Sequence, residues 1–101
     1  MRVIEDLLRE EKERNLQAQE LYRNQIQGMP RGSVAIKKVG DRAYCYLRYR
    51  DRDKVRMQYV GVCDGREKQL EADVSLRKHY EQILADLRYD MSLIKKVVKD
   101  D

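Results

Sequence analysis

The spacing of apolar residues changes period twice along the chain. Over residues 2–27, Val3, Ile4, Leu7 and Leu8 open a helical stripe that Leu21, Tyr22 and Ile26 resume. Between them REEKERN, residues 9–15, is almost wholly charged. Only Leu16 and Ala18 bridge the gap, so the middle of this helix is expected to be exposed. Gly28-Met29-Pro30-Arg31-Gly32 then stops the helix and forms a loop. From residue 33 the period falls to two. Three antiparallel strands are expected at 33–39 (SVAIKKV), 43–50 (AYCYLRYR) and 54–61 (KVRMQYVG), with GDRA and DRD as turns. A second helix is expected over 65–99, with Asp64 as N-cap and Glu67 at capping-box spacing. The pattern predicts an α+β single domain spanning 1–101: a long N-terminal helix, a three-stranded antiparallel sheet and a long C-terminal helix with coiled-coil character.

Side-chain parity predicts the strand register. A three-residue turn at 51–53 sets Tyr49 opposite Val55, Leu47 opposite Met57 and Cys45 opposite Tyr59, gathering the apolar partners on one face. A two-residue turn would set Tyr49 opposite Arg56 and scramble the faces. A four-residue turn at 40–43 puts Ile36 beside Leu47 and Val34 beside Tyr49. The other face then carries Lys37, Tyr44, Tyr46, Arg48, Arg50, Lys54, Arg56 and Gln58, with Val39 beside Tyr44. Arg48 would oppose Arg56 and Arg50 would oppose Lys54. Such like-charge pairs destabilise a sheet unless solvated or bridged by a polyanion.

In the second helix, Tyr80, Leu84, Leu87, Met91, Ile94 and Val98 fall at alternating steps of four and three, a heptad seam widened by Leu70, Val74, Ile83 and Val97. At 1.5 Å per residue the helix would be roughly 50 Å long, against about 20–25 Å for the strands. Its first half can cover the apolar sheet face. Its second half needs the N-terminal helix, a second copy of the protein, or both, and the seam is expected to serve a homodimer interface.

Composition narrows the partner. Charged residues make up 40% of the chain, Phe and Trp are absent, and the net charge is +4. Residues 31–61 hold nine Lys/Arg against three Asp/Glu, while the segments before and after each carry one net negative charge. All the excess positive charge therefore sits on the sheet, which points to an anionic partner there. Two cysteines, Cys45 and Cys63, lie 18 residues apart with no CxxC or Cys/His cluster, so two free, mostly buried thiols in a reducing cytosol are expected and no metal site. The N-terminal MRVIEDLLREEKER lacks a signal-peptide core, and no apolar run approaches the roughly 18 residues that span a membrane. A cytoplasmic protein without membrane association is expected.

Catalytic chemistry finds little footing. His79 is the single histidine and sits on a helix. Cys45 faces inward with no base at hand. Asp51 and Asp53 shape a turn, and Asp100 and Asp101 form an acidic tail. MPRGS has too few glycines for a phosphate cradle and no following helix. No catalytic residue, metal or cofactor is expected. The basic, tyrosine-bearing face is the candidate site, with Lys37, Arg48, Arg50, Arg52, Lys54 and Arg56 as phosphate contacts and Tyr44 and Tyr46 stacking or buttressing.

The stretch 30–61 resembles a small prokaryotic module in which a Pro-x-Gly-Ser start leads into basic strands, a Tyr-x-Tyr strand, an Arg-rich hairpin and a closing Tyr-x-Gly. The matching residues are Pro30, Gly32, Ser33, Tyr44, Tyr46, Tyr49, Arg50, Tyr59 and Gly61, covering about a third of the chain. The same stretch is similar to the three-stranded arm-binding domains of phage and transposon integrases, whose sheets lie in DNA grooves. Unlike them, this chain adds a long helix on each side and has no catalytic domain. The resemblance implies a non-enzymatic nucleic-acid-binding or regulatory protein of a mobile element such as a phage. Its alternative is a protein-binding inhibitor or adaptor that occludes a nucleic-acid-binding machine, as anti-CRISPR proteins do.

Overall fold

The computed structural model describes residues 2–98. Helix α1 (Arg2–Gln27) is followed by strands β1 (Ser33–Val39), β2 (Arg42–Asp51) and β3 (Lys54–Val62) and by helix α2 (Arg66–Val97). The expected α+β order is the one adopted; residue 99, the expected end of α2, and the tail carboxylates Asp100 and Asp101 lie outside the described residues. The chain divides into two compact units, one formed by α1 with the C-terminal part of α2 from Tyr80, the other by Met29–His79.

In the helical unit, α1 and α2 pair antiparallel. Asn15 Nδ2 donates to the Leu87 carbonyl at 3.0 Å, and the Tyr22 ring meets Tyr80 edge-on at 5.2 Å. Seven residues forward on α1 thus correspond to seven backward on α2. Leu84, Met91, Ile94 and Val98 are buried in this single chain, and Tyr80 and Leu87 are half-buried. The expected dimer seam is already covered by α1. Other helix faces expose Val3, Ile4, Leu7, Leu93 and Val97.

The α1 side of the seam departs from expectation. Its inward positions are Leu8, Lys12, Asn15, Gln19, Tyr22 and Ile26, each buried or half-buried and again at steps of four and three. The charged middle is therefore not wholly exposed: Asn15 and Gln19 are only 3% and 6% accessible. The pair is tolerated because it is internally satisfied. Gln19 Nε2 donates to Asn15 Oδ1 at 2.7 Å while Asn15 donates across to α2, and a buried amide with partners avoids the penalty of an unpaired one.

The second unit carries the sheet, in order β1-β2-β3. Both hairpins have two-residue turns, Gly40-Asp41 and Arg52-Asp53. The expected three-residue turn at 51–53 is overturned: Tyr49 pairs with Arg56, Leu47 with Gln58, Arg48 with Met57 and Arg50 with Val55. The turn that makes this possible holds Arg52 at φ +60. Gly40 takes the same sign, φ +62, at the equivalent place in the first hairpin. That backbone suits strand twist and is usually given to glycine. The β1–β2 register is offset by two from the expected one, with Ile36 opposite Cys45 and Val34 opposite Leu47. An even offset keeps every side chain on its expected face.

The β2–β3 ladder slips by one residue between Tyr46 and Cys45, whose partners are Tyr59 and Gly61. Val60 is thus an extra residue, a β-bulge. Beyond it, Gly61 and Cys63 return to the face of Cys45. That face holds the buried residues Cys45, Leu47 and Gly61, and Val74 of α2 is buried in the same unit. In the loop before β1, Gly32 has φ +95, and a Cβ there would collide with the Arg48 carbonyl and approach Tyr49 Cβ to 2.9 Å.

Candidate nucleic-acid interface

The observed register redistributes the expected site. Residues at even positions of β2 share one face: Arg42, Tyr44, Tyr46, Arg48 and Arg50. Pairing adds Ala35, Lys37 and Val39 from β1 and Val55, Met57, Tyr59 and Val62 from β3. Of the expected contact residues, Lys37, Tyr44, Tyr46, Arg48 and Arg50 lie together here. Lys54 and Arg56 do not. They lie on the Cys45 face, because the two-residue turn reverses the parity of β3 relative to β2. Arg52 occupies the turn. The like-charge pairs Arg48–Arg56 and Arg50–Lys54 therefore do not form. Arg56 Nε instead binds Asp51 Oδ2 at 2.8 Å.

The resulting face is both basic and aromatic. It carries four cations, Lys37, Arg42, Arg48 and Arg50, and no carboxylate. Tyr59 lies 5.4 Å from Tyr46 and 6.2 Å from Tyr44 between ring centroids, and both ring pairs are tilted. Such tilted packing is favourable for aromatic quadrupoles and holds the rings in place. Tyr59 remains 53% exposed. Lys37 Nζ sits 5.0 Å from the centre of the Tyr46 ring, a cation–π contact that leaves the ammonium on the same surface. Along β2, alternate residues stand about 7 Å apart, so the row Arg42, Tyr44, Tyr46, Arg48, Arg50 alternates blocks of charge and ring over roughly 27 Å. The hollow at the β2–β3 tip is less suited to anions, since Asp51 and Asp53 line it with Arg52, Lys54 and Arg56.

Tyr59, Met57, Val55 and Arg42 were not among the sequence-derived site residues. The first three read as core from their apolar character, and Arg42 read as turn. The missing signal was the length of the turns, which decides parity.

The opposite face contains a second cluster. Donor atoms of Cys45, Cys63 and Glu67 all lie within 4.8 Å of one another. Cys45 is fully buried, and its thiol is pushed up to about 11, first by burial and then by its hydrogen bond with Cys63. Glu67 is held from behind, its Oε2 accepting from Gly65 N at 3.0 Å. The capping box expected of Asp64 and Glu67 does not close reciprocally: each carboxylate takes a nearer amide, Glu67 that of Gly65 and Asp64 Oδ1 that of Arg66 at 3.4 Å. The Arg66 side chain also bonds Asp64, at 2.9 and 3.0 Å, which lowers the carboxyl below its ordinary range. The Arg66 guanidinium fills the space that a side chain at Gly61 would need.

An α+β chain with a basic aromatic sheet face and a thiol–carboxylate cluster beneath it is thus the class that fold and site define. The chain belongs to the family described as domain of unknown function (DUF6788), whose model matches residues 4–72. The match takes in nearly all of α1, the whole sheet and the first turns of α2. No curated protein and no solved structure matches the chain. Among the described residues, no helix is long and apolar enough to cross a membrane.

Proposed function

We propose that this is a non-enzymatic protein that binds single-stranded nucleic acid across the Tyr44/Tyr46/Tyr59 face. The observation that carries the reading is the coincidence on one face of three clustered tyrosines and four cations with no carboxylate. Cations on such a face neutralise phosphates and release counterions, and exposed rings stack on unpaired bases. A duplex hides its base faces, so the tyrosines favour single strands. The site would act without metal or cofactor, in the cytoplasm, as expected of a small regulatory protein of a mobile element.

The test is fluorescence anisotropy at low salt with labelled single-stranded and duplex oligonucleotides. Single strands should bind more tightly. Tyr59→Ala should weaken them by about 5- to 150-fold, the range of one lost stacking contact. Equal binding of duplex and single strand, with no effect of Tyr59→Ala, would refute the stacking role.

A second reading has its own observation. Val39, Val55, Met57 and Val62 are exposed on the same face, and Tyr, Arg and Met together are characteristic of protein interfaces. The surface would then seal a nucleic-acid-binding protein, as an anti-CRISPR-like inhibitor or adaptor does. Retention of a defined protein partner in a pull-down after nuclease treatment, with no affinity for any oligonucleotide, would favour it.

A further inference from the structure

We propose that Cys45, Cys63 and Glu67 form a binding site for a thiophilic divalent cation of the zinc class, on the face of the sheet opposite the tyrosines. The donor set is the first argument. Two thiols and a carboxylate from β2, the residue after β3 and the first turn of α2 converge within 4.8 Å. Tetrahedral zinc with sulfur ligands at about 2.3 Å needs sulfurs about 3.8 Å apart. The two thiols already share a hydrogen bond, so closing the trio around an ion takes side-chain shifts of about an ångström.

The bulge is the second, independent argument. Were Val60 paired regularly instead of bulged, the ladder that pairs Tyr46 with Tyr59 would place Cys63 opposite Arg42, on the tyrosine face. With it, Cys63 N donates to the Ala43 carbonyl and Cys63 stands on the face of Cys45. Bulges re-aim side chains in this way beside functional sites. Glu67 is likewise positioned, by the Gly65 amide behind it, an outer contact of the kind that orients metal ligands.

Three protein ligands leave a fourth tetrahedral position for water or an external donor, as in zinc sites that are not purely structural. Uptake of the cation by the two thiols releases two protons, one from each sulfur, as two metal–sulfur bonds form. No oxidant or reductant takes part. The site is independent of the nucleic-acid reading, and either can fail alone.

The test uses the full chain, reduced and freed of metal, titrated with cobalt(II) and then zinc(II). One equivalent of cobalt should give the visible bands of a tetrahedral ion with thiolate-to-cobalt charge transfer, and zinc should bleach them. About two protons should be released per ion at a pH where both thiols are protonated. Cys63→Ser should lower affinity by about a hundredfold or more, and Glu67→Gln by about ten- to a hundredfold, with unchanged circular dichroism. If Cys63→Ser fails to fold, the Glu67→Gln titration and protection of both thiols from alkylation by zinc decide. Absence of a thiolate–cobalt spectrum, a spectrum unchanged in Cys63→Ser, or two thiols that form a disulfide on mild oxidation yet take up no metal when reduced would overturn the proposal.

Discussion

Replacing one arginine on each side of the sheet isolates the face that meets an anion. Arg48 stands on the tyrosine face opposite Met57, while Arg56 stands on the other face, opposite Tyr49 and paired with Asp51. With four cations on the binding face, single-strand affinity should fall with salt at a log–log slope of about −2.8, taking −0.7 per phosphate contact. Between 50 and 200 mM salt that is a loss of about fiftyfold. Arg48→Ala removes one contact, reducing the slope to about −2.1 and the loss to about eighteenfold. Arg56→Ala should leave the slope of the unmodified protein. The assay is anisotropy with one oligonucleotide across a salt series for the three proteins. A slope equally reduced by Arg56→Ala, or unchanged by Arg48→Ala, would refute the assignment of faces to function.

Three further outcomes follow from the fold and the thiol cluster. Gly32→Ala forces a side chain into the Arg48 carbonyl at φ +95; a loss of about 2 kcal/mol or more is expected, read as a fall in thermal midpoint of roughly 8–16 °C. Asn15→Ala leaves the buried Gln19 amide without its Asn15 acceptor, so it should cost about 1–3 kcal/mol, whereas the double change Asn15→Leu/Gln19→Leu should equal or exceed the parent in denaturant midpoint while loosening the pairing register of the helices. Cys45 keeps its proton up to about 11 against an ordinary thiol value of 9.0, so at pH 8.5 iodoacetamide should modify it on the order of a hundredfold more slowly than an ordinary thiol, and because an unfolded chain loses that proton first, this contribution to stability is present below pH 9 and is lost as pH rises through about 11; equal alkylation of native and urea-unfolded Cys45 at pH 8.5 would contradict this.

Element boundaries were nearly all legible in the sequence, because they depend on local period and on breakers such as Gly28-Met29-Pro30. The phase between elements was not. Whether Val55, Met57 and Tyr59 face inward depends on one residue of turn length, and Arg52 gives no sign that it adopts a backbone normally reserved for glycine. In α1 the apolar residues were a misleading guide, since Leu7 and Leu21 are exposed while Asn15 and Gln19 are buried. The inward face of α1 follows the heptad phase of its partner, which is a property of two helices rather than one. The basic, aromatic half of the candidate site was visible as the alternation in YCYLRYR. The thiol–carboxylate cluster was not, because Cys45 and Cys63 are far apart in sequence and the slip that aligns them has no residue signature of its own.

That slip gives the segment from Tyr59 to Cys63 an unusual kind of constraint. Its first residue must face the tyrosines and its last must face the opposite side, yet both lie at odd positions of what would otherwise be one regular strand. Regular strands preserve facing across any even separation, so only an added residue can reconcile the two. What is fixed here is therefore the slip. Val60 itself is free to be exchanged, but a ladder that ran straight through all five residues would turn Cys63 away from Cys45 and bring Val62 round in its place, exchanging a sulfur for a hydrocarbon without altering a single side chain.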